Sequence, residues 1–361
     1  MLNLTQIQVK KDDLASAKIH MATMDIENLA PDEIVLSTDS FGFSANNITY
    51  AALGETMGYW GFFPADEGYG IVPVWGFATV SHSNHSEIAV GEKVFGYLPM
   101  ASHLLVRAHK VSQYGFSDGH PERKSISSVY DSYVYCKQDP GYNAKREPWQ
   151  LNFRPLFMTS FVLDEFVGQQ LDHESLLLSS ASSKTAFGTA FLLQANKAIR
   201  KHAYEVIGLT SASNKALVES LGCYDKVYTY DELNKLPNKS SWLLDFAANG
   251  SVISNIQSSL GDDLKKVTLI GATDWQAQVK PNKKALKAEI FFAPSVVKSL
   301  HQDWGQGVFL EKYAQAWKHV ASALENTMHE QVMTGEQAII DLYLQTLQGK
   351  ADTKALNVLS F

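Results

Sequence analysis

Apolar and polar residues follow one spacing before residue 155 and a different spacing after it. From Ile34 to Val111, short apolar runs are broken by glycine, a pattern that predicts the strands of a β-rich domain. The predicted strands are Glu33–Ser37, Gly70–Val80, Lys93–Tyr97 and His103–Val106.

The stretch from Gly115 to Gln150 has a different character. Turn-forming sequences such as Asp118-Gly119-His120-Pro121 and Asp139-Pro140-Gly141 interrupt it, and tyrosines lie between them. We therefore expect a long loop or excursion here, of the kind that forms a lid.

After Pro155 the apolar runs alternate between strand-like and helix-like spacing. Such alternation predicts right-handed βαβ units and a Rossmann-type, doubly wound parallel sheet of the α/β class. The predicted strands are Ser175–Ser179, Glu205–Leu209, Lys226–Tyr228, Ser241–Phe246 and Lys266–Ile270, with helices at Ala186–Asn196 and Asn214–Leu221.

The last apolar segments predict a discontinuous first domain. A helix is expected at Gly335–Leu347 and a strand at Leu356–Ser360, and this strand could return to the β-rich domain. The expected organisation is residues 1–160 in the β-rich domain, 161–310 in the α/β domain, and 311–361 back in the first.

Composition and charge narrow the class of partner. The chain has 361 residues, a formal charge of -7 and two cysteines. The negative charge argues against nucleic-acid binding, and two cysteines are too few for a disulfide framework or a thiolate zinc site. We expect a cytoplasmic protein without a membrane span that binds a small molecule.

The turn after the first predicted strand of the α/β domain is the expected phosphate site. It is rich in small and hydroxyl-bearing residues and carries one lysine, although it lacks the G-x-G-x-x-G pattern. The alternative is an ordinary serine-rich helix N-cap. The candidate cofactor contacts here are Ser180, Ala181, Ser182, Ser183, Lys184 and Thr185.

The end of the second predicted strand bears on the choice of nucleotide. An acidic residue there would bind a ribose hydroxyl, but Leu209 is followed by Thr210-Ser211-Ala212-Ser213-Asn214-Lys215. Ser211 and Lys215 suit a 2'-phosphate and favour NADPH. The alternative is a solvated Lys215 on a helix capped by Ser213.

The order of several short motifs resembles the medium-chain dehydrogenase/reductase superfamily. The resemblance is to its zinc-free quinone oxidoreductase branch, and more closely to a bacterial family of uncharacterised relatives, and it implies a GroES-like first domain. The motifs are Val74–Val80, Ile88–Tyr97, Ile207–Ser211, Leu221–Asp225, Asp245–Gly250 and Ile270–Thr273.

The resemblance carries further expectations. The A-x-G-G-V-G phosphate turn of the family aligns with Ala181–Ala186, where the glycines are replaced. Thr273, at a later strand end, is either a cofactor contact or a simple turn residue. Relatives commonly form dimers through the edge of the nucleotide-binding sheet, so we expect a homodimer through Ala288–Val297.

Zinc chemistry is not expected. The segment Ser44–Tyr50 lacks the zinc-binding cysteine, and no Gly-His-Glu follows. The spacing of His82 and His85, with Glu87 close by, could hold a metal, but no full ligand set presents itself, and solvent-facing loop histidines are the favoured interpretation. In the quinone reductase branch this segment lines the nicotinamide pocket, which implies Ser44, Asn47 and Tyr50 as catalytic candidates. Tyr50 could donate to a substrate oxygen, or simply be a satisfied interface tyrosine.

An aromatic run either lines a pocket for a quinone or enone or packs in the core. Its residues are Tyr59, Trp60, Phe62 and Phe63.

The leading hypothesis is an NADPH-dependent, zinc-independent reductase of a quinone- or enone-like carbonyl. A non-catalytic NADP(H)-binding sensor or scaffold is the second hypothesis, and an oligomeric structural protein without a cofactor is the third.

Overall fold

The computed structural model describes residues 1–121, 129–246, 249–270, 288–325, 327–352 and 354–361. The chain forms a β-rich unit, Met1–Pro155 with Met328–Phe361, and an α/β unit, Leu156–Thr327. The β-rich unit is thus made of two chain segments. The return expected at residue 311 falls within a helix of the α/β unit, Gln306–Leu324, and the observed return follows Thr327.

The β-rich unit contains two sheets, and its strands are numbered along the whole chain. They are β1 (Leu2–Lys10), β2 (Asp13–Met24), β3 (Glu33–Gly42), β4 (Tyr69–Gly70), β5 (Pro73–Ser83), β6 (Lys93–Pro99), β7 (His103–Ser112), β8 (Gly115–Asp118), β9 (Ser132–Tyr135), β16 (His329–Thr334) and β17 (Ala355–Ser360).

The larger sheet closes on itself. Its order is β16-β17-β3-β5-β6-β9-β8-β7, and β7 pairs with β3 as well as with β8, so six strands form a ring. The smaller sheet has the order β2-β1-β4. Strands β1 and β2 of this sheet were not predicted. Strand β2 alternates between exposed and half-buried positions and carries no buried apolar run, which leaves little signal in the sequence.

The prediction of a long loop from Gly115 to Gln150 is wrong in the described part of this stretch. Strands β8 and β9 belong to the ring, and Tyr133 and Tyr135 are buried. Gly115 permits the pairing, because a Cβ there would lie 2.0 Å from the carbonyl oxygen of Tyr133. Two strands of four residues each, rich in glycine and polar residues, gave too little periodicity to be recognised.

Three helices belong to the β-rich unit: α1 (Ala45–Ala52), α2 (Glu147–Asn152) and α9 (Glu336–Leu347). Helix α1 follows β3 directly and begins at the N-cap residue Ser44. The helix predicted at 335–347 and the strand predicted at 356–360 are therefore both present, within one residue at each end.

The α/β unit is a parallel sheet with the order β12-β11-β10-β13-β14-β15. Chain order along the sheet is therefore third, second, first, fourth, fifth, sixth, which is the doubly wound arrangement. The strands are β10 (Ser175–Leu178), β11 (Glu205–Thr210), β12 (Lys226–Thr229), β13 (Ser241–Asp245), β14 (Leu264–Ile270) and β15 (Glu289–Phe291).

The inner strands β10, β11 and β13 are buried and mainly apolar because helices cover both faces of such a sheet. Leu176, Leu177 and Leu178 of β10 are each 0% exposed. The sheet places the ends of β10 and β13 side by side, and ligands bind beyond the carboxyl ends of strands at this point of such folds. The helices are α3 (Arg154–Gln170), α4 (Lys184–Asn196), α5 (Lys215–Ser220), α6 (Gly250–Leu260), α7 (Ala293–Trp304) and α8 (Gln306–Leu324).

Candidate functional site

In the α/β unit, the ends of β10 and β13 are joined by one hydroxyl group. Ser179 Oγ donates a 2.6 Å hydrogen bond to Asp245 Oδ1 and accepts one of 2.8 Å from the backbone N–H of Phe246. Both Ser179 and Asp245 are buried. These hydrogen bonds fix the start of the turn that follows β10, between β10 and β13, where the order of strands in the sheet reverses.

Ser180 and Ala181 shape this turn without glycine. Ser180 adopts a left-handed conformation with φ of 46°, and its N–H donates to Tyr230 Oη at 2.9 Å. The N–H of Ala181 donates to the Leu209 carbonyl, and its own carbonyl accepts from Tyr224 Oη at 2.9 Å. The amides of both residues are thus already used within the protein, which leaves later groups of the turn to meet a ligand.

Helix α4 starts at the end of this turn. Ser183 is its N-cap and accepts a hydrogen bond from the N–H of Ala186, so the next residues, Lys184 and Thr185, open the first helical turn. The N–H groups of a first turn have no partner inside their helix and present partial positive charge. This end of α4 is suited to an anion.

Lys184 is half-buried at this helix end, and no acidic group of the described residues pairs with it. Burial alone lowers the pKa of its ammonium group to about 8. A desolvated cation beside a helix N-terminus gains most from a bound anion, since the anion replaces the lost hydration.

The end of β11 lies next to this turn. Ser211 Oγ pairs with Ser213 Oγ at 3.0 Å, and Asn214 Nδ2 donates to Ser182 Oγ at 3.1 Å. The second contact ties the two predicted phosphate regions together. Asn214, not Ser213, occupies the N-cap position of α5, so the alternative of a Ser213 cap is wrong.

Lys215 is a solvated lysine, as the alternative has it, but it is also paired. Its Nζ lies 2.8 Å from Glu232 Oε2, and the Lys235 ammonium lies 2.8 Å from Glu232 Oε1. An acidic group therefore does stand near the end of the second strand, supplied by the turn after the third strand. Thr273, the remaining cofactor candidate, lies outside the described residues.

In the β-rich unit, the three catalytic candidates lie on α1 and its cap. Asn47 is buried and uses its amide on both sides: Oδ1 accepts from the N–H of Ser44 at 2.9 Å, and Nδ2 donates to the Pro73 carbonyl at 3.0 Å. Ser44 and Asn47 therefore shape the start of the helix. Tyr50, one turn later, points into the core.

Tyr50 belongs to a group of aromatic side chains that we call the tyrosine cluster. Ring centroids are 4.7 Å apart for Tyr50 and Tyr59, and also 4.7 Å apart for Tyr97 and Tyr130. Tyr50 and Tyr97 join the two pairs at 5.7 Å. The cluster is Tyr50, Tyr59, Tyr97 and Tyr130 with Trp75 and Phe62.

Among the described residues, two buried donors of this cluster, Tyr97 Oη and Trp75 Nε1, make no hydrogen bond of good geometry, although both influence the pKa of the neighbouring Tyr50 hydroxyl. Burial raises the pKa of Tyr50 to about 12, and it also raises the pKa of Tyr97 and Tyr130, since a phenolate would lose its hydration. All three phenols are therefore protonated near neutral pH. The cluster offers hydrogen-bond donors in apolar surroundings.

The predicted aromatic run contributes to this region mainly as core. Trp60, Phe62 and Phe63 are 8%, 1% and 3% exposed. Trp60 is held between two glycines, Gly54 and Gly70, at each of which a Cβ would lie within 2.3 Å of the indole. The packing alternative therefore describes Trp60, whereas Tyr59 and Phe62 belong to the tyrosine cluster and Phe63 contacts its member Tyr97.

The described ranges contain no group of three or more histidine, cysteine or acidic residues placed to hold a metal, and no helix both long and apolar enough to cross a membrane. Burial raises the pKa of both cysteine thiols, Cys136 to about 12 and Cys223 further. A cavity of about 390 Å³ in the β-rich unit is lined by Asp32, Arg107, His109, Asp118, Gly119, His120 and Asp131.

Comparison with known proteins places the chain in a family. Residues 41–352 match the family described as Protein of unknown function (DUF2855). The chain belongs to this family. No curated protein matches the sequence.

Solved structures resemble the chain over its whole length. Staphylococcus aureus TarJ in complex with NADPH matches at 11% identity and a TM-score of 0.62, covering 100% of both chains. Vibrio vulnificus CurA in complex with NADPH matches at 14% and 0.59, covering 98% of both. Etr1p, a 2-enoyl thioester reductase of Candida tropicalis, matches in its complex with NADP and crotonyl-CoA at 13% and 0.60, covering 100% of both. These matches confirm the predicted fold of a Rossmann-type unit with a GroES-like unit.

Several residues of the two regions were not predicted from sequence. Tyr224 and Tyr230 fix the phosphate turn, and Glu232 pairs with Lys215. Tyr97 and Trp75 lie within the motifs used to recognise the superfamily, but nothing in those motifs marks their polar hydrogens as unpartnered. A signal for Glu232 was available in the predicted strand β12. Because β12 pairs in parallel with β11, the turn after β12 lies at the end of β11.

Proposed function

We propose that this protein is an NADPH-dependent, zinc-independent reductase that transfers hydride to a quinone- or enone-like carbonyl compound. The observation that carries the proposal is Lys184, a half-buried ammonium group at the N-terminus of α4 with no acidic partner among the described residues. It stands where a doubly wound sheet binds the pyrophosphate of a dinucleotide.

The residues of the α/β unit fit the cofactor in two places. The first turn of α4, the Ser182 and Ser183 hydroxyls and Lys184 would hold the pyrophosphate. Ser211 and Lys215, at the end of β11, would hold the 2'-phosphate. The structural neighbours TarJ and CurA form complexes with NADPH, which supports the same choice here. Bound NADPH would supply the hydride.

The tyrosine cluster supports a carbonyl substrate. Hydride addition to the far carbon of a conjugated carbonyl drives an electron pair onto its oxygen, and a hydrogen-bond donor stabilises that charge. We propose Tyr50 as the donor, because its pKa of about 12 keeps the phenol protonated near neutral pH. The proton then passes from Tyr50, or from water, to the reduced substrate. Etr1p, whose complex contains the conjugated thioester crotonyl-CoA, supports this substrate class.

Binding of the nucleotide is the first test. Tryptophan fluorescence of the protein would be titrated with NADPH and with NADH, in wild type, Lys184→Met and Lys215→Ala. Lys318→Met, a change at an exposed lysine of α8, is the matched control. We expect saturable NADPH binding, at least about tenfold weaker in Lys184→Met, weaker also in Lys215→Ala, and unchanged in the control.

Binding of neither nucleotide would overturn the reductase proposal and leave a dehydrogenase-like scaffold. If NADPH binds but a panel of quinones and enones never oxidises it, the non-catalytic sensor becomes the better reading.

The role of Tyr50 is tested with Tyr50→Phe on an active substrate. Loss of a general acid costs roughly 10²–10⁴-fold in kcat. We expect such a loss with the NADPH dissociation constant unchanged. An unaltered kcat would assign protonation to water and leave Tyr50 a packing residue.

We also propose a cytoplasmic homodimer formed through β15, the edge strand of the parallel sheet. Ile290 on this strand is 43% exposed and the adjacent Phe292 is 57% exposed, an apolar edge that pairing would cover. Ile290→Lys should therefore shift the protein toward monomer in sedimentation velocity. Val308→Lys on α8, where valine is 46% exposed, is the control that should leave the assembly unchanged.

A further inference from the structure

Glu232 is the centre of a small charged group at the carboxyl edge of the parallel sheet. Its Oε2 lies 2.8 Å from Lys215 Nζ and accepts from the N–H of Thr229 at 3.1 Å, and its Oε1 lies 2.8 Å from Lys235 Nζ. The two ammonium groups hold the pKa of the Glu232 carboxyl far below its usual range. The carboxylate is therefore charged at any pH at which the protein would be assayed.

The position of this carboxylate matters because of Lys215. Thr210 and Thr229 are paired at the ends of β11 and β12, so the turn after β12 lies beside the turn after β11. Lys215 follows the turn after β11 and begins α5. Under the proposed function it is the cation that binds the 2'-phosphate. The carboxylate of Glu232 is thus already paired with the Lys215 ammonium group that the phosphate would need.

Charge decides how the two anions interact. The two lysines and one carboxylate leave one positive charge in excess. A phosphate monoester carries roughly 1.5 to 2 negative charges near pH 7, more than that excess. A phosphate oxygen that reaches Lys215 also comes within a few ångströms of Glu232, where like charges repel.

We propose that Glu232 is a built-in competitor for the 2'-phosphate and thereby sets how strongly the protein prefers NADPH over NADH. This inference rests on the proposed function. NADH lacks the 2'-phosphate and does not need Lys215, and both oxygens of Glu232 already accept hydrogen bonds within the protein instead of being open to a ribose hydroxyl. We therefore expect the affinity for NADH not to depend on Glu232. Release of Lys215 from Glu232 is then part of what NADPH binding costs.

Glu232→Gln is the appropriate variant, because an amide keeps the size of the side chain and an oxygen that can accept from the N–H of Thr229. Its matched control is Glu205→Gln. Glu205 also bridges two lysines, Lys226 at 3.0 Å and Lys239 at 3.4 Å, but it begins β11 at the opposite edge of the sheet. Both variants change the net charge equally.

Dissociation constants for NADPH, NADH and 2',5'-ADP would be measured by calorimetry at fixed salt. We expect Glu232→Gln to bind NADPH and 2',5'-ADP about tenfold more tightly than wild type, the effect of removing one neighbouring like charge. NADH should bind unchanged, and Glu205→Gln should match wild type for all three ligands. In Glu232→Gln combined with Lys215→Met the gain should disappear.

The outcomes separate this inference from the proposed function. If wild type binds NADPH and Glu232→Gln binds it equally or more weakly, Glu232 orients Lys215 instead of competing, and the inference is overturned alone. A gain shared equally by NADH, or by Glu205→Gln, shows a general charge effect and also overturns it. If neither wild type nor Glu232→Gln binds NADPH, both the inference and the proposed function are wrong.

Discussion

In the α/β unit the buried carboxylate of Asp164 is paired with the half-buried Arg200, whereas in the β-rich unit the buried hydroxyl of Tyr97 makes no hydrogen bond of good geometry with the described residues. Asp164 Oδ2 accepts from Arg200 Nη2 and from Asn196 Nδ2, each at 2.7 Å. Tyr97 is 0% exposed.

This difference has a physical meaning. A buried charge without a partner costs several kcal/mol, so Asp164 is retained together with Arg200 as part of the scaffold. An unpartnered hydroxyl costs about 1–3 kcal/mol, which a fold can tolerate where a ligand or water completes the bond. We therefore expect the Asp164 pair to contribute to stability, and the open hydroxyl of Tyr97 supports the proposed role of the tyrosine cluster.

The largest expected effect comes from breaking the Asp164 pair indirectly. In Gly168→Ala the new Cβ would lie 1.6 Å from Arg200 Nη1. The guanidinium group of Arg200 must then shift, and a shift that carries its Nη2 away from Asp164 Oδ2 breaks the pair. We expect unfolding free energy to fall by about 3–5 kcal/mol, measured by denaturant titration with circular dichroism.

Gly307→Ala in the same unit is its control, since a Cβ there meets no atom within 4 Å. It should be neutral, or stabilise helix α8 by up to about 1 kcal/mol. A loss below about 1 kcal/mol in Gly168→Ala would show that Arg200 finds another position, and the Asp164 pair would no longer count as scaffold.

A pH titration of NADPH binding tests the one cation of the phosphate turn that has no acidic partner. Burial lowers the pKa of Lys184 to about 8, so the ammonium group is charged at pH 7 and mostly neutral at pH 9.5. Affinity for NADPH should therefore fall by about tenfold as pH rises through 8. Lys184→Met should bind weakly at both pH values, with this step absent. A step that persists in the variant would arise from another group.

The smallest effects sharpen the contrast within the β-rich unit. Tyr133 Oη donates to the Tyr97 carbonyl at 2.8 Å, so Tyr133→Phe should lower stability by about 1 kcal/mol. Tyr97→Phe removes a hydroxyl that makes no hydrogen bond of good geometry with the described residues and should leave stability unchanged, or raise it by up to about 1 kcal/mol. Thermal unfolding of the two variants side by side measures both. A clear loss in Tyr97→Phe would mean that bound water already satisfies this hydroxyl.

Much of the fold could be predicted from the chain. Strands β10, β11 and β13 were located within one residue at each end, because a buried parallel strand is a continuous apolar run between helices. Strands β8 and β9 could not be located in the same way. Strand β8 pairs with β7 and β9, and β9 pairs with β6 as well, but four-residue segments carry almost no periodic signal from which this pairing could be recognised.

Part of the candidate site could likewise be predicted from the sequence, and part could not. Lys184 and Lys215 were predicted, since a lysine beside a helix start can be identified along the sequence. Glu232 is 17 residues from Lys215, and only the pairing of β11 with β12 brings them together.

The sequence by itself determined the doubly wound sheet, the serine- and lysine-rich turn at its switch point, and the return of the chain to its first unit, because these depend on local periodicity and on residues adjacent in sequence. The tertiary structure alone decided which cations remain unpaired and which buried donors lack a partner. Lys184 and Lys215 look alike in the sequence, yet one lacks an acidic neighbour and the other is held by Glu232. Pairing depends on distances of a few ångströms between side chains far apart in the chain, and only the folded packing sets those distances.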